Sequence, residues 1–539
     1  MGAINAAATS LVEVRRRAPG KLVTESSEPL HFNAWTSPWL PLRQGDGSTR
    51  WASPVEVLSG AQDGIDLDYP RDDFRVYARL LLSALIQAVL PAKDSSELER
   101  HLEVPLTRAE VEARIRPVLA EFDLFGATPF LQVLRPANPP EKGAAAFVFV
   151  AEDLFRAPTP VEAISLPIAL LSIFIEQTYA GGAGRGYGAG PAGQPGAFTL
   201  LDLGSVRRSA WANSLHRAFA SEIYVPDGDR PWSNQKRPAA PRSSIGLVSG
   251  LFFQPRAIWL EPAGVGTCSF SGVTGPLVRR SPILPKSELA KKQPGAEDLW
   301  RHPCAPLALN TQGIGAIRLC ADRPIWTELA QLLRPVSQAT SKGKKIHPAE
   351  GPALVLQQWR ALRRRDGSAK LIILDFERDK ANVRARFFES TLANEQLLGN
   401  DEAIEKLRAV TEDAIDVLRS LTKALARARG ERKTEGTSLA DARAAFWCQI
   451  ELPFFEWLGV LTQSQGRNGS PPTHADDAER ALRTTMRSTA LRIFDAHAAL
   501  AEFDSRKQRA VAIARRLLIG VLRGAAPEAR RSMHDEARL

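Results

Sequence analysis

Three groups of residues in this sequence carry side chains suited to binding or catalysis. The first is a run of eight glycines between Gly181 and Gly196, interrupted by Arg185 and Tyr187. Glycine lacks Cβ, so such a backbone takes positive φ angles and approaches a ligand closely. The interleaved guanidinium and phenol suit a phosphate chain and a base face better than a small apolar molecule. The run holds no G-x-x-x-x-G-K-[ST], and its Gly188-Ala-Gly190-Pro-Ala-Gly193 follows a helical stretch instead of a strand, so neither nucleotide fingerprint is well supported. From the residues alone two readings stay open, a disordered Gly/Pro linker and a binding loop.

The second group is Cys268, His302 and Cys304. Cys268-Ser-Phe-Ser271-Gly272 resembles half of a zinc knuckle, but a structural zinc takes four ligands and three are at hand, so a metal-free remnant is expected. The third group is the carboxylates that a metal-dependent nuclease would need: Asp72 with Asp73, and Asp366 with Asp375 and Glu377. The first pair sits where a helix should start, which favours capping, and the others read as solvated strand ends. The eight histidines form no H-x-H or H-E-x-x-H pair. A free-standing nucleic-acid enzyme is therefore the disfavoured alternative, with no catalytic residue, metal or cofactor expected.

The framework around these groups follows from pattern. The 539 residues exceed one ordinary core, and a 44% apolar share excludes a largely disordered chain. No apolar run reaches membrane-spanning length and no secretory segment opens the chain, so no membrane is expected and a cytoplasmic location is. Four scattered cysteines indicate no disulfide framework. The net charge is +10, gathered at Arg279-Arg280, Lys291-Lys292, Lys342 to Lys345 and Arg360 to Lys370, which favours a polyanionic partner through counterion release.

Along the chain, residues 1–28 look like a flexible extension. Helices are predicted over Phe74 to Leu90, Thr107 to Phe122, Val161 to Ile175 and Val206 to Ser221, with a strand from Phe198. Ser243 to Pro255 fits a strand or a buried helix. From about Asp401 the pattern becomes long and helical, with Ile404, Leu407, Val410, Ile415, Leu418, Leu421 and Leu425 at three- and four-residue spacing and Gly430 as the stop. Further helices are expected from Ser438, bent near Pro453, from Thr473 or His474, and from Ser505. The fold class is α+β: a large mixed N-terminal domain over residues 29–390, followed by a C-terminal four-helix bundle over 391–539.

Separated motifs then agree with one family. Trp39-Leu40-Pro41, Pro70-Arg71-Asp72-Asp73, Pro91-Ala92-Lys93-Asp94, Pro129-Phe130, the glycine run, Ser243 to Pro255 and Pro324-Ile-Trp326-Thr327 occur in the order seen in CasA proteins, which the chain resembles over nearly all its length after residue 30. CasA is the large subunit of the type I-E CRISPR surveillance complex Cascade. The resemblance implies a non-catalytic subunit at the crRNA 5′ end that works with other Cascade subunits. It would recognise the protospacer-adjacent motif of double-stranded target DNA from the minor groove, help open the duplex and recruit the Cas nuclease-helicase. It also implies the DNA-binding residues. The family's glycine loop maps to Gly181, Gly182 and Gly184, with Arg185 beside them, and its lysine to Lys291 or Lys292, ahead of Leu299-Trp300. The wedge maps to Phe376 through Ala381, where Arg378, Asp379 and Lys380 stand in place of the family's amides. A further departure is Gly143 to Thr159, short and apolar where relatives carry a polar loop.

Overall fold

The structure is a computed structural model that describes residues 30–137, 163–179, 190–192, 196–233, 236–237, 239–268, 270–281, 284–287, 289, 298–310, 313–319, 323–334, 351–362, 369–379, 382–392, 397, 400–430, 437–463, 473–498 and 505–523. The proposed extension, residues 1–28, lies outside them, as do Gly143 to Thr159, Lys342 to Lys345 and Arg363 to Arg365.

The chain enters through Leu40–Arg43 (β1) and turns at Gly47, whose φ of +84° favours glycine, into Thr49–Ala52 (β2). A capping box of Ser53 and Glu56 starts Pro54–Leu58 (α1), and Asp66–Leu67 (β3) returns beside β1. Asp72–Val89 (α2) is buried along most of its length. Asp72 and Asp73 lie in its first turn as expected, but Asp73 is clamped by the Arg71 guanidinium at 3.0 and 2.6 Å, and Arg71 is the N-cap. Ser95–Glu103 (α3) and Arg108–Ile115 (α4) follow, capped by Asp94 and Thr107. The single helix expected over Thr107 to Phe122 is divided. Pro117 has no N–H to continue α4, and the chain resumes as a 3₁₀ turn at Leu119–Phe122.

Ile164–Ser165 (β4) leads into Leu166–Thr178 (α5), a helix buried on nearly every side, and Phe198–Asp202 (β5) is the predicted strand. Val206 to Ser221 splits into Val206–Ala212 (α6) and Arg217–Ser221 (α7). The break falls where the Asn213 amide turns back to bond both the N–H and the carbonyl of Leu201. Within Ser243 to Pro255 the helical alternative holds, as Leu247–Leu251 (α8). Arg256–Ala257 (β6), Leu260–Thr267 (β7), Thr274–Arg280 (β8) and Leu284–Pro285 (β9) supply a β4-β8-β7 sheet and a β6-β9 pair. Leu307–Asn310 (β10) and Gly313–Ala316 (β11) form a hairpin, followed by Leu329–Leu333 (α9) and Leu354–Ala361 (α10). Lys370–Asp379 (β12) and Asn382–Leu392 (β13) complete the last sheet, in the order β13-β12-β5.

Four helices close the chain: Asp401–Ala428 (α11), Thr437–Gln463 (α12), Thr473–Ala498 (α13) and Ser505–Leu522 (α14). Asn400 caps α11 by accepting the N–H groups of Glu402 and Ala403, and Gly430 stops it at φ +71°. Of the apolar residues read from spacing in α11, all but Ile415 are buried; Ile415 is half covered. Pro453 lies inside α12. α11 packs against each of the other three helices. The mixed body and these helices share one continuous apolar core. At their junction Trp326 stacks on Phe454, 4.0 Å between ring centroids, and meets Trp447 edge-on.

Candidate nucleic-acid interface

Of the residues singled out for DNA contact, Gly181, Gly182, Gly184, Arg185, Lys291, Lys292 and Lys380 lie outside the described residues. Arg378 and Asp379 are placed through their backbone, in the last positions of β12. The described residues do fix the points where each segment leaves and rejoins the scaffold.

The last turn of α5 and its C-cap Tyr179, immediately before the glycine run, are tied to five separate places. Glu176 pairs with Arg280 of β8 at 3.4 Å, in a setting buried enough to push its carboxyl pKa up despite the two arginines nearby. Gln177 donates to the carbonyls of Leu131 and Arg256, both at 2.9 Å, and accepts the Arg256 N–H. Thr178 bonds the Leu251 carbonyl, and the Tyr179 hydroxyl meets His302 Nε2 at 3.0 Å. The chain then reappears at the same spot: a Cβ added to Gly190 would stand 2.9 Å from the Thr178 carbonyl oxygen. Gly196 is pressed against the Ile317 carbonyl so closely that no Cβ fits, and Ala197 donates to that carbonyl at 2.7 Å. The described residues on either side, Thr178 and Gly190, therefore lie together.

The sheet carries the second segment to the same end. β5 runs antiparallel to β12 with Phe198 opposite Leu374 and Asp202 opposite Lys370, so beyond Leu374 β12 keeps β13 as its strand partner and loses β5. That two-stranded ribbon runs from Asp375 to the pair Asp379↔Asn382, with an irregularity between Glu377 and Arg378, and its root is held where the buried Asp375 carboxylate accepts the Leu319 N–H at 2.7 Å. Such an irregularity bends and twists a ribbon away from its sheet. The glycine run therefore joins β5 at the end of the sheet from which the β12–β13 ribbon leaves.

The lysine-bearing stretch is closed at its base in a similar way. Leu289 bridges Ala240, while Asp298 accepts the Ser243 N–H and pairs with Arg242 at 3.7 Å, so both ends meet one turn of chain. Two residues past Asp298, Trp300 lies against Gly250, where no Cβ fits, and meets His302 edge-on at 5.9 Å. His302 also meets Tyr179 and Phe198, at 5.6 and 5.0 Å. Burial holds its pKa down to about 3, so it is neutral, with Nδ1 accepting the Cys304 N–H. Both ring nitrogens are thus engaged inside the core. His302 is a hub of aromatic packing and not half of a metal site, and Cys304, whose thiol pKa burial pushes up, is its backbone partner. Cys268 is buried elsewhere, with Ser165 and Ser271 beside its thiol. The sequence reading misses this role because no spacing in the chain links residues 179 and 302.

The basic clusters need one correction. Arg280 of the Arg279-Arg280 pair is fully buried on Glu176, so it supplies no surface charge. Among the described residues, no group of three or more His, Cys, Asp or Glu side chains could hold a metal ion, and no helix is long and apolar enough to cross a membrane.

A mixed body with a helical C-terminal stretch is the fold of several solved CRISPR-associated proteins. CasA of Thermus thermophilus superposes with a TM-score of 0.65 at 17% identity, covering 92% of this chain and 100% of that one. Cse1 of Thermobifida fusca gives 0.68 at 17% identity, covering 92% and 98%. A chain of a CRISPR RNA-guided surveillance complex gives 0.68 at 17% identity, covering 91% and 100%. The family model for CRISPR-associated protein Cse1 matches residues 33–493, and the chain belongs to that family.

Proposed function

We propose that this protein is the large, non-catalytic subunit of an RNA-guided DNA surveillance complex. It would act with a crRNA and the other Cascade subunits, read the protospacer-adjacent motif of duplex DNA, help part the strands and recruit the nuclease-helicase. Family membership supports the assembly. The observation that carries the recognition reading is the shared sheet end: the glycine run enters β5 beside the point where β12 continues as the wedge ribbon. A backbone without Cβ atoms at the glycine run would approach base edges in the minor groove, with Lys291 or Lys292 beside it. The ribbon tip, with Arg378, Asp379 and Lys380, would enter the base step.

Gly182→Asp with Gly184→Asp tests this reading in the assembled complex. Each added carboxylate blocks close approach and repels phosphate, so motif-dependent binding should fall roughly tenfold or more, a loss comparable to a mismatched base pair. Folding and assembly should stay intact. Normal discrimination between motif-bearing and motif-free duplex in this variant would refute the glycine assignment.

A further inference from the structure

The glycine segment and the lysine segment are far apart in sequence, yet the end of α5 before the first and the chain just after the second meet at one pair of side chains. Tyr179 is the last described residue before the glycine run, and its hydroxyl bonds His302 Nε2 at 3.0 Å. The other ring nitrogen of His302 accepts the Cys304 N–H at 3.1 Å, and the Cys304 carbonyl accepts the N–H of Thr199, just inside β5, at 2.8 Å. Residues on both sides of the glycine run are therefore held by the short stretch His302 to Cys304. Trp300, where the chain comes back from the lysine segment, packs on the same imidazole.

We propose that Tyr179 and His302 are positioning residues for motif recognition: their hydrogen bond fixes the spacing between the end of α5 and the Trp300–Cys304 return, so the two roots move as one. The inference rests on the reading given above. The surroundings explain why a polar pair serves here. Phe174, Tyr77 and Phe198 pack around Tyr179, and a phenylalanine would keep most of that ring packing. What the hydroxyl adds is direction. Within an apolar setting each partner has no good alternative to the other, so the bond selects one arrangement, and losing the hydroxyl leaves the buried imidazole N–H unpaired.

Tyr179→Phe removes the bond and keeps the ring. In the complex assembled with this variant, the ratio of affinities for motif-bearing over motif-free duplex should drop about fivefold, the worth of one hydrogen bond. Affinity for motif-free duplex and its dependence on salt should not change, because no phosphate contact is lost. Ile450→Val in α12 serves as a control with a comparable melting loss but an unchanged ratio. In the free full-length chain, amide exchange should quicken at Thr199 and at Cys304 together. An unchanged ratio, or faster exchange on one side alone, overturns the proposal. If the unmutated complex shows no motif preference, the functional reading fails, while exchange at the two amides still decides whether the roots are linked.

Discussion

The mixed body and the C-terminal helices are held together by different means. In α11 to α14 the contacts come from apolar residues three and four apart, nearly all buried in α11 but with Val511, Leu517 and Val521 of α14 only partly covered, and the polar bonds are mostly local, such as Thr422 to the Leu418 carbonyl. In the body, decisive bonds join residues far apart in the chain. Gln358 reaches Ser214, Arg207 reaches His101, and Tyr179 reaches His302. The first kind of order is written in each segment; the second exists once several segments have met. A region of the second kind can hold the ends of separate segments at fixed positions.

Three measurements put this contrast at risk, beginning with the joint between the two regions. Trp326→Ala removes a buried ring from between Trp447 and Phe454 and should cost about 3–5 kcal/mol. If the boundary near residues 385–400 separates two folding units, calorimetry of this variant should resolve two transitions. A single transition at lowered temperature would mean that body and helices fold as one.

Acid should strike the body first. His302 keeps a pKa of about 3 against about 6.5 in an unfolded chain, so between those values the unfolded state binds a proton that the folded state refuses. Its contribution to stability is complete above about pH 6.5 and declines as pH falls, by about 2 kcal/mol at pH 5. Burial lowers His101 and His216 as well, in the same direction, while the described part of the bundle fully buries no histidine. Hydrogen exchange at pH 7 and pH 5 should show body amides losing protection before those of α11 to α14. The reverse order would contradict this account.

The mildest change removes a local signal. Asn400→Ala deprives α11 of its cap and should cost about 1 kcal/mol, read as a modest drop in thermal midpoint. A Ser at that position should recover most of it.

The same contrast explains what could be read in advance. The start at Asp401, capped by Asn400, and the stop at Gly430 follow from signals that act within one turn, and periodicity puts the later starts at Thr473 or His474 and about Ser505, where the structure has Thr473 and Ser505. One helix over Thr107 to Phe122 is too long a reading because the apolar pattern outlasts the break that Pro117 imposes. Cys268, His302 and Cys304 resemble a ligand set because sequence gives residue types and not neighbours; the imidazole is turned inward to Tyr179 and Cys304. The wedge comes from family resemblance. Strand pairing gives its root a position, since only pairing reveals that β5 stops at Phe198, opposite Leu374, while β12 continues. The tethers of Glu176, Gln177 and Thr178 have no sequence signal, because their partners lie on elements distant in the chain.

Gly190 standing beside the Thr178 carbonyl has one more consequence. A detour that ends where it began can gain or lose residues without changing which strand lies next to which, because the register of β5 against β12 is set afterwards, from Phe198 onward. The frame on either side is thereby independent of what lies between its two fixed ends. Substitution, shortening or exchange of the stretch between Tyr179 and Gly190 should therefore leave the β5–β12 pairing and the packing around it unchanged.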